Sequence, residues 1–222
     1  MIRIENVDIY GWETAIRGMR NPMNSWDKSD SEFTPWDNTD FKIGRADFAL
    51  MVKLRDAGTD HRKFMRMITV YLDITAPLYW WKEFDTYKVG TVANSCSTMH
   101  KIASKEFTLD DFSHEHLIQN GAVTVNGHEI PYCWLEQLEY IIYALNFARD
   151  RFNETGDKQY WWQLIQLLPS SYNQCRTVQL NYEVIANIYK SRKHHKLDEW
   201  LGFCAWIETL PYSELITGGE SE

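Results

Sequence analysis

The segment QCRTVQLNYEVIANIYKSRKHH covers residues 174–195 and follows a Leu-Leu-Pro at 167–169. Its first part, around 177–180, predicts a short strand. The part from Asn181 to Arg192 predicts a helix, and its first residue is of a type favoured at helix N-caps. The segment therefore predicts a strand that leads directly into a helix carrying polar residues.

Three polar residues of this helix are candidates for a binding site. Asn181 and Arg192 are close to three helical turns apart, so they share a direction but lie ~16 Å apart along the axis. Together with Asn187 they could line an extended groove of the kind that a nucleotide or dinucleotide needs. The alternative is that Asn181 only caps the helix, Asn187 is a surface amide, and Arg192 complements the negative end of the helix dipole.

A second informative segment is GTDHRKFMRMITVYLDITAPLYWWKEFDTYKVGTVANSCSTM, residues 58–99. The two segments together resemble the flavin-dependent thymidylate synthase superfamily, whose His-containing turn, strand, Ala-Pro and helix precede an Asn-x-x-Ser. In that family a later Leu-Pro leads into a strand and a helix with Asn, Asn and Arg. The matching residues here are His61, Ala76, Pro77, Asn94, Ser97, Asn181, Asn187 and Arg192.

The resemblance implies an α+β fold with a central, mostly antiparallel sheet and packed helices, in a single domain over residues 1–222. It also implies a homotetramer with ligands at subunit interfaces, and FAD as the cofactor. The nucleotide-binding residues that it implies are Asn94, Ser97, Asn181, Asn187 and Arg192. Ser97 is the candidate for a catalytic role, as a group that binds or polarises the nucleotide.

Several positions depart from the family's pattern and remove positive charge. The family's Arg-His-Arg triplet, which grips the flavin and its phosphates, corresponds here to Asp85, Thr86 and Tyr87. Two further family arginines correspond to Ile165 and Glu183. Phosphate recognition depends on charge-assisted hydrogen bonds, often bidentate from Arg. These losses argue against the usual way of holding FAD and dUMP.

A basic cluster is the candidate to replace the missing phosphate-binding arginines. It consists of His61, Arg62, Lys63 and Arg66. A solvated charged turn explains the same residues equally well, and the sequence leaves both interpretations open.

The bulk composition limits the classes of partner. A formal net charge of −8 argues against a protein that binds nucleic acid through a basic surface, whereas a small nucleotide needs only a few local cations. The cysteines form no Cys-x-x-Cys pair, and the adjacent His194 and His195 cannot face one ion on a regular helix, so we predict no metal site. No run approaches the ~20 apolar residues of a membrane span, and we expect a cytoplasmic protein.

The aromatic residues are numerous, with ten Trp, twelve Tyr and ten Phe. They either fill the core and a subunit interface or stack on a planar base or flavin. The candidates for stacking are Trp80, Trp81, Trp161 and Trp162.

The remaining pattern predicts further strands and helices. Strands are expected over residues 1–10, 67–74 and 122–125, and helices over 11–20, 43–57, 131–153, 157–168 and 197–209. Residues 21–40 are expected to form a loop, in which Ser25 and Ser29 offer hydroxyls to a phosphate. The segment 103–130 looks like a family-specific insertion or lid.

Three functions compete. The first is a divergent protein that binds a nucleotide-like ligand in an intersubunit pocket and sequesters it. The second is an active FAD-dependent enzyme that methylates dUMP, or a related nucleotide, with methylenetetrahydrofolate and NADPH. The third is a structural or assembly protein. We rank them in this order because the fold pattern survives the substitutions and the catalytic pattern does not.

Overall fold

A computed structural model describes residues 2–34 and 37–218 of the chain. Within these residues the strands are β1 Arg3–Tyr10, β2 Glu32–Thr34, β3 Asp37–Lys42, β4 Thr69–Pro77, β5 Val92–Ser95, β6 Gly121–Val125, β7 His128–Tyr132 and β8 Asn173–Asn181. The α-helices are α1 Trp12–Arg20, α2 Arg45–Asp56, α3 Leu78–Phe84, α4 Thr98–Lys101, α5 Trp134–Thr155, α6 Lys158–Leu167, α7 Tyr182–Arg192, α8 Asp198–Glu208 and α9 Glu214–Thr217.

The fold is built on a mostly antiparallel sheet of four strands in the order β1-β4-β8-β5. Two antiparallel hairpins, β2-β3 and β6-β7, form separate two-stranded sheets. The predicted α+β fold with packed helices is confirmed. β5 and β7 were not predicted, because neither segment is apolar enough to show a period of two.

The chain forms two compact units. Unit 1 comprises residues 1–3, 75–84 and 95–176, and unit 2 comprises residues 4–74, 85–94 and 177–222. Strands β1, β4, β5 and β8 each contribute residues to both units. The expectation of one domain over residues 1–222 stays a prediction.

Unit 1 has its core between α5, α6 and the segment that precedes β6. Leu138, Ile142 and Leu145 of α5 are buried together with Leu164 of α6. These α5 residues recur every three or four positions, which places them on one face of the helix. α5 ends at Gly156, whose φ of 68° is the left-handed conformation that suits a glycine at this position.

The β6-β7 hairpin occupies much of the predicted insertion. Its two turn residues, Asn126 and Gly127, have φ angles of 50° and 80°, as a two-residue hairpin turn with a primed geometry requires. Gly121 begins β6 close to α5, and a Cβ atom there would lie 2.4 Å from the Trp134 ring. The Asn126-Gly127 pair therefore forms the turn of this hairpin.

In unit 2, the expectation of a loop over residues 21–40 was wrong in part, because β2 and β3 form a hairpin within it. Residues 35 and 36 lie outside the described part of the chain. The hairpin has a polar sequence without apolar alternation, so periodicity could not reveal it. A buried carboxylate fixes the backbone immediately before β2.

That carboxylate belongs to Asp47 of α2, which is 0% exposed. Arg20 Nε donates to one of its oxygens at 2.6 Å. The other oxygen accepts from the hydroxyls of Ser29 and Ser31 at 2.7 and 2.6 Å, and from the backbone N–H groups of Asp30 and Ser31 at 3.1 Å. The Ser29 hydroxyl is therefore committed to Asp47 and not to a phosphate.

The pKa of Asp47 reflects two opposed effects. Burial acts to raise it, but the hydrogen bonds from Ser31, Ser29 and Arg20 outweigh burial, so the pKa lies below its ordinary value of 3.8. Because the folded-state pKa is depressed, Asp47 stabilises the fold at pH values above the ordinary carboxyl pKa. This stabilisation is lost as the pH falls through the folded-state pKa.

We expect the substitution Asp47→Asn to lower the free energy of unfolding by about 3–5 kcal/mol, because it leaves the buried Arg20 charge without its partner. Urea unfolding at neutral pH measures the loss. Repeating it at pH values below 3.8 should show a smaller difference between wild type and variant, because the stabilisation by the ionised carboxylate is lost as the pH falls through the depressed folded-state pKa. Asp27→Asn changes an exposed carboxylate in the polar segment before β2; it is the control and should leave the stability unchanged. Equal unfolding midpoints for wild type and Asp47→Asn would contradict the assignment.

Candidate functional site

Asn181 stands where β8 passes into α7, and it caps the helix. Its side-chain oxygen accepts a hydrogen bond from the Val184 backbone N–H at 3.1 Å. Gly90, with a φ of 79°, lies against the same side chain, and a Cβ atom there would be 3.1 Å from the Asn181 amide nitrogen. The capping interpretation of Asn181 is confirmed.

Glu183 lies in the first turn of α7 and is buried, with 6% of its surface exposed. Its carboxylate binds two arginines of the 3-10 turn Arg62–Arg66. Arg62 Nε donates to Oε1 at 3.2 Å, and Arg66 donates to both carboxylate oxygens. One buried carboxylate thus joins this turn to the start of α7.

The charge state of Glu183 follows from these contacts. Burial acts to raise its pKa, but the hydrogen bonds from Arg66 and Arg62 and their positive charges outweigh burial and lower it. Glu183 is therefore ionised at neutral pH. A phosphate that approached Arg62 or Arg66 would have to compete with a carboxylate that already holds both.

The other members of the predicted cluster lie at the surface. His61 and Lys63 are exposed, as is Asn187. The Asn187 side-chain oxygen accepts one long hydrogen bond, 3.4 Å, from Arg62. The structure therefore brings Asn187 to the Glu183 network, whereas His61 and Lys63 face solvent as the solvated-turn interpretation predicts.

Arg192, at the end of α7, is held by aromatic residues of unit 2. Its Nε donates to the Tyr87 hydroxyl at 2.8 Å. Its guanidinium carbon lies 4.6 Å from the centre of the Trp200 ring and 5.6 Å from that of Tyr87. Both distances are within the range of a cation–π contact. Tyr87 is one of the residues that replace the cationic triplet, so at this position an aromatic hydroxyl now binds an arginine.

Ser97 belongs to unit 1, and Asn94, on β5, belongs to unit 2. Both residues are exposed. The Ser97 hydroxyl accepts a hydrogen bond from the His100 backbone N–H at 3.1 Å and caps the short helix α4. Ser97 also lines a cavity of about 580 Å³ that lies within unit 1.

The cavity of unit 1 is lined by charged and polar groups. They include Lys101, Lys105 and Asp111, together with Tyr172 from the segment before β8. The Lys105 ammonium pairs with the Asp111 carboxylate, and this hydrogen bond raises the pKa of Lys105. Burial raises the pKa of the Tyr172 hydroxyl. At neutral pH the cavity therefore presents the charged ammonium of Lys105 and the neutral phenol of Tyr172, which can donate a hydrogen bond.

Comparison with known proteins gives a match in structure but not in sequence. No family model and no curated protein matches the sequence. Thymidylate synthase X from Helicobacter pylori, solved with FAD and dUMP, superposes with a TM-score of 0.66 at 14% identity, over 98% of this chain and 98% of that chain. The UMP/dUMP methylase PolB from Streptomyces cacaoi, bound with 5-Br dUMP, superposes with a TM-score of 0.64 at 14% identity, over 98% and 95%.

The chain has the flavin-dependent thymidylate synthase fold. The resemblance in sequence had predicted this fold from two segments, and these form β4 with α3 and β8 with α7. At 14% identity the likeness establishes the fold and not an activity, because one fold supports different chemistries.

Sequence reasoning missed the lysines and the tyrosine of the unit 1 cavity. The available signal was the spacing of Ser97, Lys101 and Lys105, which are four residues apart along the chain. Such spacing favours one face of a helix, but α4 ends at Lys101. Tyr172 reaches the cavity because the chain turns after the Leu-Pro, and no local pattern predicts where that turn directs a side chain.

The tryptophans proposed for stacking differ in their exposure in this thymidylate synthase fold. Trp80 and Trp81 are 0% and 1% exposed, and the Trp81 indole N–H donates to the Gln174 carbonyl at 2.9 Å. They are core residues, and the stacking role is wrong for them because a ligand cannot reach either ring. Trp162 is 43% exposed, and the Lys158 ammonium lies 5.6 Å from the centre of its ring.

Over residues 2–34 and 37–218, no group of three or more His, Cys, Asp or Glu side chains is placed to hold a metal ion. Over the same residues, no helix is both long enough and apolar enough to cross a membrane.

The substitution Glu183→Gln tests the network at the start of α7. It removes the charge that Arg62 and Arg66 share, and we expect it to lower the free energy of unfolding by about 1–3 kcal/mol. Urea unfolding measures this loss. Glu13→Gln is the matched control, because Glu13 also lies in the first turn of a helix but is exposed.

A second measurement on the same variant separates charge from packing. Because the two arginines lose their carboxylate, inorganic phosphate should stabilise Glu183→Gln more than it stabilises wild type at equal ionic strength. Equal stabilisation of both proteins would show that the arginines do not become available for anions.

Proposed function

We propose that this protein is a divergent member of the flavin-dependent thymidylate synthase superfamily that binds a nucleotide-like ligand and holds it without the standard flavin grip. The observation that carries the proposal is the polar cavity of unit 1, where Ser97 and Lys101 line a space of about 580 Å³. Ligand sites typically occupy about 300–1,000 Å³. The cavity is therefore large enough for a mononucleotide.

The chemistry of the cavity suits a phosphorylated, hydroxyl-rich ligand. The Lys101 ammonium supplies a charge for one phosphate. The hydroxyls of Ser104 and Thr108 also line the cavity; they donate to the Lys101 carbonyl and the Asp111 carboxylate, and their oxygens can accept hydrogen bonds from a sugar. Asp110 offers a carboxylate that can accept hydrogen bonds from a sugar. Since Lys105 is already paired with Asp111, the cavity favours a ligand with a single phosphate over a polyphosphate.

The α7 region of unit 2 supports the absence of the usual flavin grip. Arg62 and Arg66 are bound to the buried Glu183 carboxylate. Arg192 is held by Tyr87 and Trp200. A flavin phosphate there would have to displace internal partners, so we infer that the protein does not carry out the flavin-dependent methylation of dUMP.

The proposal includes the predicted homotetramer, in which a second subunit completes the nucleotide site. Asn94 and Asn187, which are exposed, would then contribute to binding through an intersubunit pocket, whereas Arg192 would keep its partners Tyr87 and Trp200. The neighbouring structures support the nucleotide class of ligand, because thymidylate synthase X was solved with dUMP and PolB with 5-Br UMP.

The test is the absorbance spectrum of the freshly purified protein, followed by thermal unfolding with dUMP, UMP and FAD. We expect no flavin band, no stabilisation by FAD, and stabilisation by a pyrimidine mononucleotide. A ligand at a hundred times its Kd adds about 2.7 kcal/mol. Mass spectrometry of small molecules released on denaturation identifies any nucleotide that copurifies.

Variants locate the binding. Lys101→Ala should weaken mononucleotide binding by roughly 10- to 150-fold, because one charge-assisted hydrogen bond is worth roughly 1.5–3 kcal/mol. Ser97→Ala should weaken it less. Lys196→Ala, which removes an exposed lysine of unit 2, is the matched control and should bind as wild type does.

Two outcomes contradict the proposal. A flavin band near stoichiometric occupancy would favour the active FAD-dependent enzyme. A protein that no nucleotide stabilises would favour the structural or assembly role.

A further inference from the structure

Helix α5 presents large aromatic side chains on the face opposite its core face. Tyr140, Tyr143 and Phe147 are 64%, 69% and 64% exposed. Their spacing of three and four residues aligns them along the helix, whereas Leu138 and Leu145 on the other side are buried in unit 1. Exposed apolar surface of this continuity typically marks an interaction site.

The residues around this aromatic row form a self-complementary pattern, which we call the α5 stripe. The stripe consists of Glu136, Tyr140, Tyr143, Ala144, Phe147 and Arg151. At 3.6 residues per turn these six positions fall within one sector of about 100°. Five of them are exposed, and Arg151 is half-buried, with 41% of its side chain exposed.

The midpoint of the stripe lies between Tyr143 and Ala144. Tyr140 and Phe147 lie at equal distances on either side of this midpoint. Glu136 is then matched by Arg151, again at equal distance and with the opposite charge. The outermost residues lie about 22 Å apart along the helix.

We propose that the α5 stripe is the docking surface for a second copy of this chain, with the two α5 helices antiparallel about a twofold axis at the midpoint of the stripe. A twofold axis requires a surface that is complementary to itself. In this arrangement Tyr140 of each copy meets Phe147 of the other. Glu136 of each copy lies at the level of Arg151 of the other, so both ends of the contact pair opposite charges.

The inference deepens the proposed function: it rests on the self-association that the proposed homotetramer requires, and it names a contact surface for it. It does not depend on whether a nucleotide binds, so sedimentation and nucleotide binding test the two proposals separately. A lipid surface or an unrelated protein explains the aromatic row but not its symmetric charges. Only a second copy presents the same sequence in reverse.

The charged ends are able to rearrange. Arg151 pairs within its own chain with Glu154 at 2.7 Å and lies 5.7 Å from the centre of the Tyr160 ring. Glu154 is 62% exposed, and exposed pairs of this kind contribute at most about 1 kcal/mol. The other charged residues beside the stripe are Glu139 and Asp150, and Asp150 already pairs with Arg149.

The size of the surface indicates how strong the contact is. Each exposed ring contributes on the order of 130–150 Å², so that three rings from each copy give roughly 800 Å². This is below the ~1,200 Å² of a standard interface. We therefore expect association that depends on protein concentration when this contact acts alone.

Sedimentation velocity of the full chain between about 1 and 100 μM tests the proposal. Wild type should associate, and Tyr143→Arg should raise the Kd of this contact at least 10-fold, because a central aromatic anchor becomes a repelling charge. If wild type forms a larger even-numbered assembly, the variant should have half its mass. Val89→Arg, at a residue that is 91% exposed outside the stripe, should behave as wild type.

Charge reversal tests the antiparallel register itself. Glu136→Arg and Arg151→Glu should each weaken association by about 2- to 5-fold, because like charges then meet at both ends. The double variant Glu136→Arg/Arg151→Glu exchanges the charges and should recover wild-type association. Circular dichroism of each variant confirms that the monomer is folded.

Three results would overturn the inference. The first is a wild type that stays monomeric over the whole concentration range, which would assign the stripe to a different partner. The second is a Tyr143→Arg variant that associates as wild type does. The third is a double variant that is weaker than both single variants.

Discussion

The buried carboxylate of Glu183 determines the state of the polar groups around the start of α7. A buried charge is tolerated only when it is paired and hydrogen-bonded, and Glu183 meets this requirement with Arg62 and Arg66. It stands where the sequence resemblance has an arginine. Arg62 and Arg66 were candidate ligand-binding groups, but the Glu183 carboxylate binds both of them and makes them internal partners.

A second buried carboxylate of unit 2, that of Asp47, likewise organises the polar groups around it, in the segment before β2. Asp47 holds Arg20 and the backbone before β2, and so it orders a polar segment that has few apolar residues of its own. In both networks an ionised carboxylate binds arginine, and Asp47 also accepts hydrogen bonds from backbone N–H groups. The polar groups of unit 1 are arranged differently, since Lys101 and Ser97 line an open cavity. The proposed ligand site therefore lies in the region in which polar groups line an open cavity.

The sequence predicted those elements whose apolar residues keep a regular period. α5, α6 and β4 have such periods, and the observed bounds agree with the expected ones within a few residues. The β2-β3 hairpin was missed because its strands are polar and its preceding turn is ordered by Asp47, a residue distant in sequence. The same limitation applies to the site. Arg62 and Arg66 were candidates for phosphate binding or for a solvated turn, and the sequence did not reveal their partner Glu183, which follows more than a hundred residues later.

By itself, the sequence predicted the α+β class and offered the cap at Asn181 as one of two interpretations, because local periodicity and capping chemistry act over a few residues. The thymidylate synthase fold was implied by the resemblance of two segments to that family. Only the tertiary structure decided which polar residues are available to a ligand. Availability depends on burial and on partners from distant segments, as the pairing of Arg62 with Glu183 and the stacking of Arg192 on Trp200 illustrate. A charge in a sequence becomes a binding group only when no folded partner neutralises it, and that is a property of the packed chain.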